Sequence, residues 1–167
     1  MTFRIDNRIF QVGDNIIPQN KYQGQLSPDR QKVEELLEKF RPVNKPNRNS
    51  ILMLFEDFDC AKRHWVKQAN SVFYRTVINA NQIVHRGDYN KVEQIFHSLT
   101  DIVTAENLAQ EYWNSVFTFN PIVELFVDNA EVQWILSNSE VERKHEYKLI
   151  SGIIAAPEIR IRRVTNH

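Results

Sequence analysis

The stretch Asn120-Pro121-Ile122-Val123-Glu124-Leu125-Phe126-Val127 decides how the rest of the chain is interpreted. Side chains alternate between the two faces of a β-strand, so Ile122, Glu124 and Phe126 share one face. The residues between them are apolar as well, and a segment apolar on both faces indicates a strand covered on both sides. The stretch therefore predicts an interior strand in which Glu124 is at least partly buried.

A carboxylate in such a strand is costly. Burying it in ionised form takes several kcal/mol or more unless a partner compensates the charge or the pKa rises. Chains accept this cost most often where the carboxylate does chemical work. The alternative is that the strand lies near a sheet edge and Glu124 reaches solvent. From these residues alone, the edge interpretation is the simpler one.

The composition describes an ordinary globular domain. The 167 residues suit one domain spanning 1–167, and the 42% hydrophobic and 25% charged content is average. Because 21 basic residues balance 21 acidic ones, there is no overall basic field for nucleic acid, although a local patch remains open. The single cysteine, Cys60, excludes an internal disulfide and fits a reducing compartment. With no membrane-length apolar run and no secretory signal pattern, we expect a cytoplasmic protein.

The order of the predicted elements indicates an α+β fold in which the late strands pair antiparallel. Four helices are predicted, and they begin after Ser27, after Asp57 or Asp59, after Asp88, and at Thr104. Apolar and β-branched runs predict strands over residues 3–5, 9–12, 51–55, 72–78, 83–85, 122–127, 132–136 and 159–162. Residues 140–148 fit either an exposed strand or a short helix.

Several chemistries have no support in the sequence. There is no phosphate-binding glycine loop, and the five histidines show no metal-ligand spacing, so no metal is predicted. The cluster His85-Arg86-Gly87-Asp88 is explained by a turn followed by a helix cap. Cys60 stands near a helix start, where its pKa would fall, but a half-buried structural thiol explains it better.

A few residues are candidates for binding a ligand. Arg4, between two apolar residues of the first strand, presents a guanidinium suited to a phosphate or carboxylate, and the alternative is a surface arginine. Arg48 lies just before the predicted strand 51–55, where it could hold a phosphate. The alternative is that Arg48 is a solvated loop charge. Aromatic side chains that could stack on a flat ring, although most such residues belong to cores, are Tyr22, Tyr74, Tyr112 and Trp113.

Taken in order, these features resemble the ADP-ribosyltransferase fold over residues 3–136. An arginine on the first strand (Arg4), the strand 51–55 leading into a helix, and a glutamate on a late strand (Glu124) follow the family's layout. The string from Glu124 to Val127 is similar to the glutamate strand of toxin-type enzymes that ADP-ribosylate nucleic acid. The family's Ser-Thr-Ser pattern is missing, with residues 54–57 (Leu-Phe-Glu-Asp) in its place.

Two further departures leave the branch of the family, and hence the acceptor, open. Ile122 occupies the earlier position of the Glu-x-Glu pair, and Arg4 stands where another branch has a histidine. The resemblance implies a single domain with a central split, mostly antiparallel sheet flanked by about four helices.

The resemblance also implies NAD as substrate. Glu124 would be the catalytic residue, Arg4 and Arg48 would hold the NAD phosphates, and Tyr22 or Tyr74 would stack on nicotinamide. The implied function is a mono-ADP-ribosyltransferase toxin or effector that modifies RNA, DNA or protein, with a neutralising antitoxin as a further partner.

Two other functions stay open. The chain would also suit a non-enzymatic interaction or inhibitor module, such as an immunity or phage accessory protein, in which Glu124 forms a structural ion pair. A simple RNA binder would instead use the basic strand near the C terminus, with Arg160, Arg162 and Arg163.

Overall fold

The computed structural model describes residues 1–19, 26–65 and 70–143. Tyr22, part of the ambiguous segment 140–148 and the predicted strand 159–162 lie outside these residues. One compact unit spans residues 1–135, and a second begins at residue 136, of which residues 138–143 are helical. That the whole chain is one domain stays a prediction.

Within the described residues, seven strands form one sheet, and the pairs between them that the structure records are antiparallel. The strand order is β2-β7-β4-β1-β3-β6-β5. The bounds are Thr2–Asp6 (β1), Asn15–Ile16 (β2), Leu52–Phe55 (β3), Val72–Val77 (β4), His85–Asp88 (β5), Val123–Val127 (β6) and Ala130–Leu136 (β7). The α+β prediction is confirmed, and β6 is an interior strand as its sequence predicts. The predicted strand 9–12 is wrong, because these residues form a loop that returns to β2.

The described part of the first unit contains four α-helices: α1 (Pro28–Lys39), α2 (Phe58–His64), α3 (Tyr89–His97) and α4 (Ile102–Trp113). Each begins where a side chain accepts a hydrogen bond from a backbone N–H of the first turn, and these capping residues are Ser27, Asp57, Asp88 and Asp101. The fourth helix thus begins two residues before the predicted Thr104. The segment 85–88, predicted as a turn and cap, is strand β5, and its last residue, Asp88, caps α3.

Cross-strand register brings one row of residues onto a single face of the sheet. Phe3 pairs with Phe55, Phe55 with Glu124, and Glu124 with Gly87. Directly paired residues on neighbouring strands share a face. Residues two positions apart on one strand also share a face, so Glu124 lies on the same face as Phe126 of β6. Phe126 packs into a core built by α1, α3 and α4. The Glu124 side chain therefore points toward the helices rather than away from them.

Among the described strand pairs, β1 and β3 are joined by the fewest register pairs. These strands share one register pair, Phe3 with Phe55, whereas β1 and β4 share five. Where the next rung of the ladder would lie, the Met53 carbonyl accepts a hydrogen bond from Nη1 of Arg4 at 2.8 Å. The strands thus form one hydrogen-bonded sheet, and the predicted split corresponds at most to this weakly joined seam.

Candidate active site around Glu124

A cavity of about 250 Å³ lies on the helix-bearing face of the sheet, next to the β1–β3 seam. Its arginine, glutamate and histidine side chains are Arg4, Arg30, Glu34, Arg48, His64 and Glu124. Three predicted site residues, Arg4, Arg48 and Glu124, are therefore brought together from distant parts of the chain. Cavities that combine buried charges of both signs with apolar walls are where ligand sites are usually found.

Glu124 is 3% exposed, so the edge interpretation of its strand is wrong. Its Oε1 accepts hydrogen bonds from Nη1 of Arg48 and from the hydroxyl of Tyr112. Among the described residues, Oε2 receives no hydrogen bond from protein. The two carboxylate oxygens thus differ: one is fixed by two donors, and the other is left for a partner in the cavity.

Arg48 is buried as well, at 6% exposure, which corrects its interpretation as a solvated loop charge. Its Nε donates to Glu34 at 3.1 Å, and its Nη1 donates to Tyr112 and Glu124. Burial alone would lower the pKa of Arg48, but the negative charges of Glu124 and Glu34 outweigh it and raise the pKa well above its usual value. Arg48 therefore lines the cavity as a cation already shared between two carboxylates.

Tyr112 is the residue of this cluster whose role the sequence did not reveal. It lies on α4, is completely buried, and reaches Glu124 across Gly87 of the neighbouring strand. A Cβ on Gly87 would stand 2.5 Å from Cε2 of Tyr112. Glycine at this position therefore makes room for the ring. Burial raises the pKa of Tyr112 well above its usual value, so the hydroxyl keeps its proton and acts as a donor.

Arg4 is held by a separate set of contacts. Its Nε donates to Oδ2 of Asp6 at 3.0 Å and its Nη1 donates to Met53, while Nη2 makes no hydrogen bond within the described residues. Asp6 is buried and also receives two side-chain bonds from Arg8. Burial alone would raise the pKa of Asp6, but the bonds and charges of Arg8 and Arg4 lower it. Asp6 is thus a carboxylate that fixes the direction of the Arg4 guanidinium.

Of the two aromatic residues predicted to stack on nicotinamide, the one that the structure describes, Tyr74, does not line the cavity. Tyr74 is completely buried, and its hydroxyl accepts from the Phe10 amide and donates to the Arg8 carbonyl, both at 2.9 Å. It holds the loop after β1, so its interpretation as a ligand-stacking residue is corrected. Tyr22 lies outside the described residues.

The rings that do line the cavity are those of Phe55, His64 and Tyr89. The centroid of the His64 ring lies 4.9 Å from that of Phe55 and 4.7 Å from that of Tyr89. Burial lowers the pKa of His64, which favours a neutral imidazole. The three rings form an apolar wall beside the charged groups.

Comparisons with protein-family models, with curated proteins and with solved structures found no match to this chain. The resemblance described above therefore rests on the sequence features quoted for it. Within the described residues, no helix combines the length and apolar character needed to cross a bilayer.

Proposed function

We propose that this protein is an NAD-dependent mono-ADP-ribosyltransferase, a toxin or effector that transfers ADP-ribose to a macromolecular acceptor and releases nicotinamide. The observation that carries the proposal is the cavity that Glu124 and Arg4 share. Among the described residues, Oε2 of Glu124 and Nη2 of Arg4 have no hydrogen-bond partner in the protein. RNA, DNA or protein would serve as acceptor. We expect the reaction to take place in the cytoplasm.

The chemistry assigned to Glu124 follows from the transition state. Cleavage of the glycosidic bond sends the electron pair to the nicotinamide nitrogen and builds positive charge on the ribose, as in glycoside hydrolysis. Oε2 of Glu124 would accept a hydrogen bond from a ribose hydroxyl and stabilise that charge more than it stabilises bound NAD. The acceptor nucleophile then attacks C1′ and loses its proton.

The other cavity residues suit the remaining parts of the substrate. Nη2 of Arg4 would bind a phosphate oxygen, and the ring pair of His64 and Tyr89 would pack on nicotinamide, the place that Tyr74 does not occupy. Nε and Nη1 of Arg48 are already engaged, so Arg48 would contribute its positive charge and its Nη2, which makes no hydrogen bond within the described residues. A volume of about 250 Å³ is small beside the ~300–1,000 Å³ of typical ligand sites, so it suits the reacting half of NAD.

The substitution Glu124→Gln tests the proposal. Arg48 keeps its bond to Glu34 in this variant, so we expect a folded protein whose transfer rate falls by about 100-fold or more. The assay is incubation with labelled NAD in a cell extract, followed by separate nuclease and protease treatments that identify the acceptor. Glu111→Gln is the matched control, since Glu111 pairs with Lys91 and does not line the cavity.

Equal labelling by Glu124→Gln and by wild-type protein would remove Glu124 from the reaction. Labelling that is lost from both Glu124→Gln and Glu111→Gln would point to a general loss of folding. We expect wild-type protein and Glu111→Gln to label the acceptor and Glu124→Gln to lose this labelling.

One observation favours a second function, a non-enzymatic interaction or inhibitor module. The Glu124 carboxylate is paired with Arg48 inside the protein, as it would be in a purely structural ion pair. A thermal shift with millimolar NAD separates the two functions, because a ligand that binds the folded state raises its melting temperature. The transferase predicts a shift, and the interaction module predicts none.

A further inference from the structure

We infer that Tyr112 and Arg48 are positioning residues that hold Glu124 so that one oxygen of its carboxylate faces the substrate. The inference rests on the proposed function and names Tyr112, which neither the motif on β6 nor the family layout indicates. It assigns Arg48 a different role from the phosphate contact predicted from the sequence.

The geometry makes Oε1 the anchored oxygen. Nη1 of Arg48 and the hydroxyl of Tyr112 both donate to it, and Arg48 also donates to the Tyr112 oxygen. The three groups therefore form a closed triangle. A carboxylate held by two donors at one oxygen cannot rotate without breaking both bonds, so its second oxygen keeps a fixed direction.

The surroundings of the triangle hold it in place. Tyr112 is completely buried and lies edge-on to Trp113, with ring centroids 5.2 Å apart. Arg48 is tied at its far edge to Glu34 on α1. Tyr112 is thus positioned by α4, and Arg48, which lies on the loop before β3, is held by its bond to α1. Donors fixed by packing and by further hydrogen bonds hold their partner more precisely than free side chains.

Gly87 shows that the ring of Tyr112 has little freedom to move. Its absent Cβ leaves the space through which the tyrosine reaches β6, with contacts of 2.5–2.8 Å to a hypothetical Cβ. Glycine inside a strand often marks a close approach of this kind. The strand next to Glu124 is therefore built around the Tyr112 ring.

A structural and a positioning role predict different kinetics. We expect Tyr112→Phe, which keeps the ring and removes the hydroxyl, to lower kcat for ADP-ribose transfer roughly ten- to hundredfold while leaving KM for NAD within about twofold. Tyr74→Phe is the matched control, because it also removes a buried hydroxyl with two hydrogen bonds, but from a residue that does not line the cavity. It should lower stability with no change in kcat.

A second measurement does not require activity. The side-chain carboxylate carbon of Glu124, assigned in an NMR spectrum by its loss in Glu124→Gln, reports the hydrogen bonds at that group. We expect Tyr112→Phe to shift this signal and Tyr74→Phe to leave it unchanged. If wild-type protein neither binds nor consumes NAD, the proposed function fails, and this signal still decides whether Tyr112 holds Glu124.

Two results would overturn the inference. One is an unshifted Glu124 signal in Tyr112→Phe. The other is a Tyr112→Phe enzyme with unchanged kcat, or one whose loss of kcat is matched by Tyr74→Phe and so reflects stability alone.

Discussion

Substituting Gly87 by alanine tests the packing of the Glu124 cluster directly. The added methyl would stand 2.5 Å from Cε2, 2.6 Å from Cζ and 2.8 Å from the hydroxyl oxygen of Tyr112, where ordinary contacts begin near 3.4 Å. The ring would have to retreat by about 1 Å. It has no space for this, because His85 and Trp113 pack against it with centroids about 5 Å away.

The expected cost combines two effects. Overpacking of a filled core costs about 1–3 kcal/mol, and loss of a buried hydrogen bond to a charged group adds about 1–2 kcal/mol. Gly87→Ala should therefore lower the free energy of unfolding by roughly 2–5 kcal/mol. For a domain of this size, the melting temperature should fall by roughly 4–20 °C.

A double-mutant cycle measured by urea unfolding identifies the cause. If the clash with the tyrosine ring is responsible, Gly87→Ala should cost much less in a Tyr112→Ala background than in the wild type. Gly13→Ala serves as a control for backbone strain alone, since Gly13 has a φ of 94° and an added Cβ would meet nothing within 4 Å. A cost of Gly87→Ala that is the same with and without the ring would refute the packing argument.

Two further predictions concern titrating groups. His85 is 3% exposed among aromatic rings, and burial together with the charges of Lys45 and Arg48 lowers its pKa to about 4. The unfolded chain takes up a proton at this position near pH 6.5, whereas the folded protein does not, so the free energy of unfolding should fall by on the order of 2–3 kcal/mol between pH 6.5 and 4. The free energy of unfolding of wild type and of His85→Phe, measured across this pH range, tests the expectation. An equal pH dependence in both proteins would contradict it. Burial raises the pKa of Cys60 to about 11, so native protein at pH 8 should resist iodoacetamide and react once unfolded, and rapid native labelling would disprove it.

Local patterns in the sequence were sufficient for the parts of the fold that local physics determines. Ser27 followed by Pro28 marks the start of α1 because the cap and the missing N–H act within one turn. The apolar run around Glu124 identifies an interior strand because burial on both faces leaves no polar alternation. Both predictions depend on neighbours along the chain.

The partners of Glu124 could not be found in this way. Tyr74 and Tyr112 each stand in an apolar pattern, and only strand register and helix packing place one under a loop and the other over Gly87. A signal was present in Gly87 itself, a glycine between polar residues before a helix cap, but its turn interpretation was equally consistent with the sequence. The burial of Arg48 likewise depends on carboxylates from two other elements.

The interrupted ladder between β1 and β3 explains why Arg4 lies at the wall of the cavity. A full ladder of hydrogen bonds would occupy the Met53 carbonyl with backbone from β1, and Arg4 would then have to point elsewhere. Because the ladder stops after Phe3 and Phe55, the guanidinium satisfies that carbonyl instead, while Asp6 fixes its Nε. The interruption that would otherwise leave a part-buried acceptor unpaired thus places a cation at the wall of the cavity that Arg48 and Glu124 also line.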